Sequence, residues 1–180
     1  PQTLKVVGFS YLVGVLIAIP IGIISAYKQY SWFDQLGTFI SMVGFSMPTF
    51  FTGVVFIIVF AVNLQWFPSI YDTTLKVTDW ASFWQQVRQM AMPVTVLALY
   101  NAAQISRFLR ASMLDTLSQD YVRTAQAKGL TQRVVRGRHV MRNALLPVLT
   151  AIGLQMGGLL AGAVLTESVF NIAGIGDALR

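Results

Sequence analysis

The sequence contains no cysteine and a single histidine, His139. The first absence excludes disulfides, thiolate metal sites and thiol nucleophiles. No serine–acid constellation lies near His139, so a solvated or hydrogen-bonded role accounts for it better than catalysis. Charge is scarce too: 11% of the 180 residues are charged and 55% are hydrophobic, whereas a soluble domain carries charge on about a quarter of its residues. Residues 6–27, 35–71, 89–106 and 143–166 hold no charge at all. A membrane-crossing helix needs roughly 20 apolar residues, while a soluble helix of that length turns a polar face to water. These runs predict an all-α polytopic membrane protein with crossings at about 6–27, 37–62, 89–108 and 144–166. The first run is too long, and too poor in flanking basic residues, to be a secretory signal.

Ionisable side chains are also missing from the depth of every predicted crossing. Proton- and sodium-driven transporters hold their coupling ion on such groups, so a transporter of this composition is expected to draw its energy from a partner. Asn101, Gln104 and Gln155 are candidates for a polar path or for hydrogen bonds between helices.

What the chain does have is a concentration of positive charge. The formal charge is +6, and eight of the 13 basic residues fall between Arg107 and Arg142. Lys and Arg collect in cytoplasmic loops, which places this segment and the turn at Lys28 inside the cell and argues against nucleic acid as the reason for the charge. The connection between the second and third crossings then lies outside. Its rings, Trp66, Phe67, Tyr71, Trp80, Phe83 and Trp84, suit the headgroup level. Both chain ends also fall outside, so the sequence is expected to be a fragment, with at least one further helix before residue 1 and another after residue 180.

Pro20, Pro48, Pro93 and Pro147 fall within or at the start of predicted crossings. Proline frees a backbone carbonyl there, and bends are expected at Pro20 and Pro48. Gly153, Gly157, Gly158 and Gly162 give two successive G-x-x-x-G patterns on the fourth crossing, a strip on which another helix can pack closely.

The loop 107–142 is patterned. Ser118 is a candidate helix cap, Gly129 suits the left-handed position that ends a helix, and Thr131 can open a second helix towards Arg142. Tyr121, Ala125 and Gly129 stand four apart and share one face, narrowing from a ring to a methyl to nothing. Such a helix suits a groove on another protein, with Arg123 and Lys128 at the rim. A basic amphipathic helix lying on anionic lipid has the same signature, and the residues alone do not separate the two uses.

The run Asp120-Tyr121-Val122-Arg123-Thr124-Ala125-Gln126-Ala127-Lys128-Gly129-Leu130, followed by Arg142-Asn143-Ala144-Leu145-Leu146-Pro147, resembles the cytoplasmic loop of binding-protein-dependent ABC importer permeases, most closely the dipeptide/oligopeptide branch, which includes nickel and glutathione carriers. Thr166-Glu167-Ser168-Val169-Phe170 with Gly174-Ile175-Gly176, and Gly44-Phe45-Ser46-Met47-Pro48 with Phe50, resemble the family's segments after its fifth helix and in its third. The resemblance covers essentially the whole chain in order.

It implies a type I ABC importer permease fold, with residues 1–180 a single transmembrane domain carrying helices two to five of six. It implies that Asp120, Tyr121, Arg123, Thr124, Ala125, Lys128, Gly129 and Leu130 couple the chain to an ATPase subunit. Ala125 and Gly129 match the alanine and glycine of the family's EAA-type motif. Its two preceding positions are Arg123 and Thr124, and the Leu146-Pro147 pair lies further off than in the general pattern, so no motif carboxylate is expected to act here. The implied partners are two ABC ATPase subunits, a second, related permease chain forming a heterodimer, an extracytoplasmic solute-binding protein meeting residues 63–88 and 166–180, and membrane lipids. No cofactor and no enzymatic step are expected on this chain, and the location implied is a bacterial or archaeal cytoplasmic membrane. The alternative is a self-powered transporter or channel without an ATPase.

Overall fold

The structure is a computed structural model that describes residues 2–72 and 75–172, the side chains of Gln2 and of 156–164 excepted. Among these residues every regular element is helical. Helix α1 spans Gln2–Tyr27 and runs without interruption through Pro20. Helix α2 spans Trp32–Ser46 and opens on Ser31, whose hydroxyl accepts a hydrogen bond from the Asp34 N–H. Helix α3 spans Thr49–Phe56 and continues as a wider π turn over Ile57–Asn63.

The second apolar run is therefore two helices, bent by 101° at their junction. The cause is Pro48: the residue before a proline is pushed out of the helical region, and Met47 is extended at φ −90°, ψ 128°. Pro93 and Pro147, like Pro20, sit inside continuous helices.

Helix α4, Trp80–Leu117, is the longest element at 38 residues, about 57 Å at the α-helical rise. Its start is set by Asp79, whose N–H donates to the Ser82 hydroxyl at 2.9 Å. It takes in Trp80, Phe83 and Trp84, expected in the outer connection, and residues 107–117, expected in the basic loop. No glycine or proline follows Pro93 until Gly129, so nothing local stops the helix where the charges begin. Helix α5 is Asp120–Ala127, and α6, Gln132–Val134, passes through a π segment, Val135–Met141, into α7, Arg142–Phe170. Gly174–Gly176 lie outside the described residues.

Helices α1 and α4 form the most extensive pair. The close approach is made by small residues. A Cβ on Gly14 would meet the Ala98 carbonyl oxygen at 3.0 Å, and one on Gly22 would meet that of Ser106 at 2.9 Å; Ala18, between them, is fully buried. Asn101 lies in this seam, 3% exposed with its Nδ2 unpartnered, so it packs under α1 instead of lining an open path. One buried cluster joins α1, α4, α5, the π segment and α7 through Ala18, Leu109, Met113, Val122, Val135, Val140 and Val148. A second, at the other end, gathers Val6, Met90, Val96, Tyr71 and Phe170. Tyr71, expected at the headgroup level, is turned into this cluster at 4% exposed and its N–H donates to the Phe170 carbonyl.

The outer surface is apolar. Phe9, Leu12, Leu16, Phe39, Ile40, Leu146, Leu149 and Leu154 all face outward, a surface that hydrocarbon solvates and water does not. By length and apolarity together, Thr3–Tyr27 meets the requirement for a membrane span, and the bent pair Trp32–Ser46 with Thr49–Asn63 adds a second if it is one broken span. Helix α4 is more polar than its 18-residue uncharged run suggests, carrying Gln89, Asn101 and Gln104 within it and Arg88, Arg107 and Arg110 around it.

Candidate functional site

The site begins where α4 ends. Ser118, expected to open a helix, instead closes α4: its hydroxyl and its N–H both donate to the Asp115 carbonyl, at 2.7 and 3.3 Å. Gln119 is extended, at φ −72° and ψ 145°, and from it the chain enters α5 as a separate helix. The end of α5 follows the reading of Gly129. Gly129 sits at φ +78°, its N–H donates to Gln126 O at 3.0 Å, and the Leu130 N–H reaches Ala125 O at 3.4 Å. That pair of bonds is the Schellman closure, which glycine alone enters without steric cost. Thr131 then opens α6, its carbonyl accepting from Val134 and Val135 N–H.

Helix α5 is two-faced. Val122 and Ala125 are buried against the chain's own core, with Val135 and Val140 in the same cluster. Asp120, Tyr121, Arg123, Thr124, Lys128, Gly129 and Leu130 are exposed. Ala125 thus faces inward, apart from Tyr121 and Gly129, with which it was expected to share an outward face. The spacing rule treats a turn as four residues, but a helix turns in 3.6, and Val122 is the residue that fixes which side is buried. A Cβ on Gly129 would meet nothing within 4 Å. Arg123 and Asp120 pair at 3.7 Å on an exposed surface, which contributes little to stability, and the Thr124 hydroxyl donates to Asp120 O at 2.9 Å.

Three contacts lock this end of the bundle, and none was legible beforehand. The Arg110 guanidinium donates from Nε and Nη2 to the two oxygens of Asp34, both at 2.7 Å. The Tyr30 N–H donates to the same carboxylate at 3.0 Å. The hydrogen bond from Arg110 holds the Asp34 carboxyl below its ordinary range; burial opposes this, while the Tyr30 N–H and the Arg110 charge add to it. Tyr27 donates its hydroxyl to Arg136 O at 3.1 Å, and the Arg136 guanidinium lies 4.8 Å over its ring. Ser112 donates to Ala144 O at 2.8 Å, tying α4 to α7. The signal that could have pointed to the ion pair is Asp34 itself, the sole acid before Asp72; the structure leaves it 3% exposed, and a buried carboxylate needs a cation. Among the described residues no three His, Asp or Glu side chains converge to hold a metal.

A family model described as the binding-protein-dependent transport system inner membrane component matches residues 18–180. The chain belongs to this family of inner membrane transport components. It is 40% identical over 191 residues to the dipeptide transport system permease protein DppB of Alkalihalophilus pseudofirmus, covering 97% of this chain and 57% of that protein. It is 40% identical over 176 residues to the oligopeptide transport system permease protein AppB of Bacillus subtilis, covering 98% and 55%. Against the dipeptide permease DppB of Escherichia coli the identity is 38% over 188 residues, covering 91% and 55%. The chain spans a little over half the length of the curated relatives it matches, and these relatives are transport proteins, not enzymes.

Proposed function

We propose that this chain is the channel-forming permease subunit of an ATP-driven importer of di- or oligopeptides in a bacterial or archaeal cytoplasmic membrane. The observation that carries the reading is helix α5 in a chain of this family: a short, independent helix, anchored by Val122 and Ala125 and offering Tyr121, Arg123, Thr124, Lys128 and Leu130 to a partner. The partner is an ATPase subunit with an acidic-rimmed groove, and two such subunits serve an importer built on this chain and a second, related permease. A solute-binding protein delivers peptide to the opposite face.

Work reaches the membrane by rigid-body movement. Closing the ATPase pair displaces α5, and the buried contacts of Val122 and Ala125 with the Val135–Val140 region pass that displacement to α4 and α7, since packed interfaces shift between discrete arrangements and do not deform smoothly. Helix α4 extends the movement to the far side, with α1 following because its Gly14–Gly22 strip is closely seated.

Gly129→Trp tests this in the reconstituted importer. It strains the left-handed position and adds bulk on the partner side, so ATP hydrolysis should persist while peptide uptake falls by an order of magnitude or more and the subunit stays in the membrane. Gly129→Asn, which tolerates a positive φ, should retain most uptake. Full uptake by Gly129→Trp overturns the coupling role. A self-powered transporter instead requires uptake that continues after ATP is removed.

A further inference from the structure

The break at Pro48 borders a cavity of about 240 Å³ lined by Ile17, Ser41, Met47, Thr52, Tyr100 and Ser106, among others. Broken backbone at membrane depth is tolerated where protein or a water-filled cavity satisfies it, and Pro48 supplies no N–H for the carbonyl four residues back. Towards the basic end the cavity adjoins a narrow cleft of about 10 Å³, which shares Ile21, Ser41 and Ser106 with it and adds Arg107 and Arg110.

The two arginines differ. Arg110 is matched by Asp34 through two bonds of 2.7 Å. Arg107 has no carboxylate within ion-pair reach among the described residues. It is partly buried, with its guanidinium 4.6 Å over the Phe45 ring, and Phe45 stacks on Tyr100 with centroids 6.1 Å apart and planes 15° from parallel. Stacking fixes the plane of the guanidinium while its N–H groups remain available for an anion. An arginine that only anchors the helix to lipid phosphate would extend outward; this one lines the cleft and is folded back over the half-exposed Phe45 ring at its edge.

We propose that Arg107, with Phe45 and Tyr100 as its backing and Ser41 and Ser106 beside it, forms a station for the carboxylate of a solute passing through the cavity. Guanidinium pairs with carboxylate through charge-assisted, two-pronged hydrogen bonds, and the C-terminal carboxylate is the group that every unmodified peptide brings. The inference rests on the peptide-importer reading and names the residue that would meet the cargo's negative end. The apolar walls contributed by Ile17, Met47 and Leu99 suit variable side chains, which leaves the shared carboxylate as the feature recognised.

These 180 residues contain no cysteine, and any thiol elsewhere in the importer is first replaced by serine. In the complete importer in phosphatidylcholine nanodiscs, Ser106→Cys places one thiol of this subunit beside Arg107. Its modification is timed with an anionic and a cationic methanethiosulfonate. Relative to their rates with a free thiol, the anionic reagent should be favoured over the cationic one by about 25-fold, since one unit charge a few ångströms away in water speeds the one and slows the other by about fivefold each, and this preference should vanish when Arg107→Gln is added. Millimolar trialanine applied directly should slow the reaction, and trialaninamide should not. Ser41→Cys gives the same readout from the facing helix if Ser106→Cys does not assemble. A thiol that ignores both water-soluble reagents, a charge preference unaffected by Arg107→Gln, or equal effects of acid and amide overturns the station and leaves Arg107 as a lipid anchor. ATP-driven peptide uptake by the unsubstituted importer is measured alongside in sealed phosphatidylcholine vesicles; its absence defeats the importer reading itself, whereas its presence beside a negative labelling result defeats only the station.

Discussion

At the residue scale, the ion pair between Asp34 and Arg110 is the most consequential feature that sequence could not place. The partners are 76 residues apart, and only the seating of α2 on α4 brings them together. Removing one partner leaves the other partly buried and unmatched, so Asp34→Asn should lower stability by about 1–3 kcal/mol, read as a drop in melting temperature of the purified subunit. The pH dependence has a definite sign. Because the folded-state pKa of Asp34 is depressed, its stabilisation is complete above the ordinary carboxylate pKa of about 3.9 and is lost as pH falls through the lower folded value. The difference between wild type and Asp34→Asn should therefore be constant near neutrality and narrow in acid; a difference independent of pH throughout would contradict this. Gly22 offers a contrast of another kind. A methyl there meets backbone at 2.9 Å, whereas one on Gly8 meets nothing within 4 Å. Gly22→Ala should cost about 1–3 kcal/mol as overpacking, and Gly8→Ala should be neutral or stabilising by up to about 1 kcal/mol, compared by thermal unfolding in detergent.

At the scale of elements, the sequence was clearest where a residue type has one conformational use. Gly129 marks the end of α5 because a residue without Cβ takes a left-handed cap at no steric cost, and Thr131 marks the start of α6 through its extended backbone, whose carbonyl accepts the first helical bonds. Pro48 marks the break, although its size, 101°, belongs to how α3 packs. Ser118 misled, since serine caps either end of a helix, and here its hydroxyl reaches back to Asp115. The extent of α4 was hidden for a related reason: hydrophobic runs report where a helix is apolar, not where it stops, and Arg107 and Arg110 continue it without a breaker. Ala125 was placed on the wrong side of α5 because Val122, the fully buried residue, was not weighed. The element-level prediction follows from that burial. Val122→Asp should detach α5 from the bundle and abolish coupled uptake, while Thr124→Ala, on the open face, should leave the fold intact; limited proteolysis within residues 118–131 of each variant distinguishes them.

At the scale of the whole molecule, the charge-free runs, the apolar exterior and the family match agree on a helical membrane component, and the basic end gathers the features through which a partner would act. The central claim is that the open face of α5 is held by an ATPase. It is tested most directly by attaching a photo-crosslinker to a thiol introduced by Lys128→Cys, and separately by Tyr121→Cys, in the complete importer. The account predicts that light captures the ATPase subunit from both positions, with a yield that changes when nucleotide is added. Capture of phospholipid alone from both positions, in an importer that still consumes ATP, would contradict it.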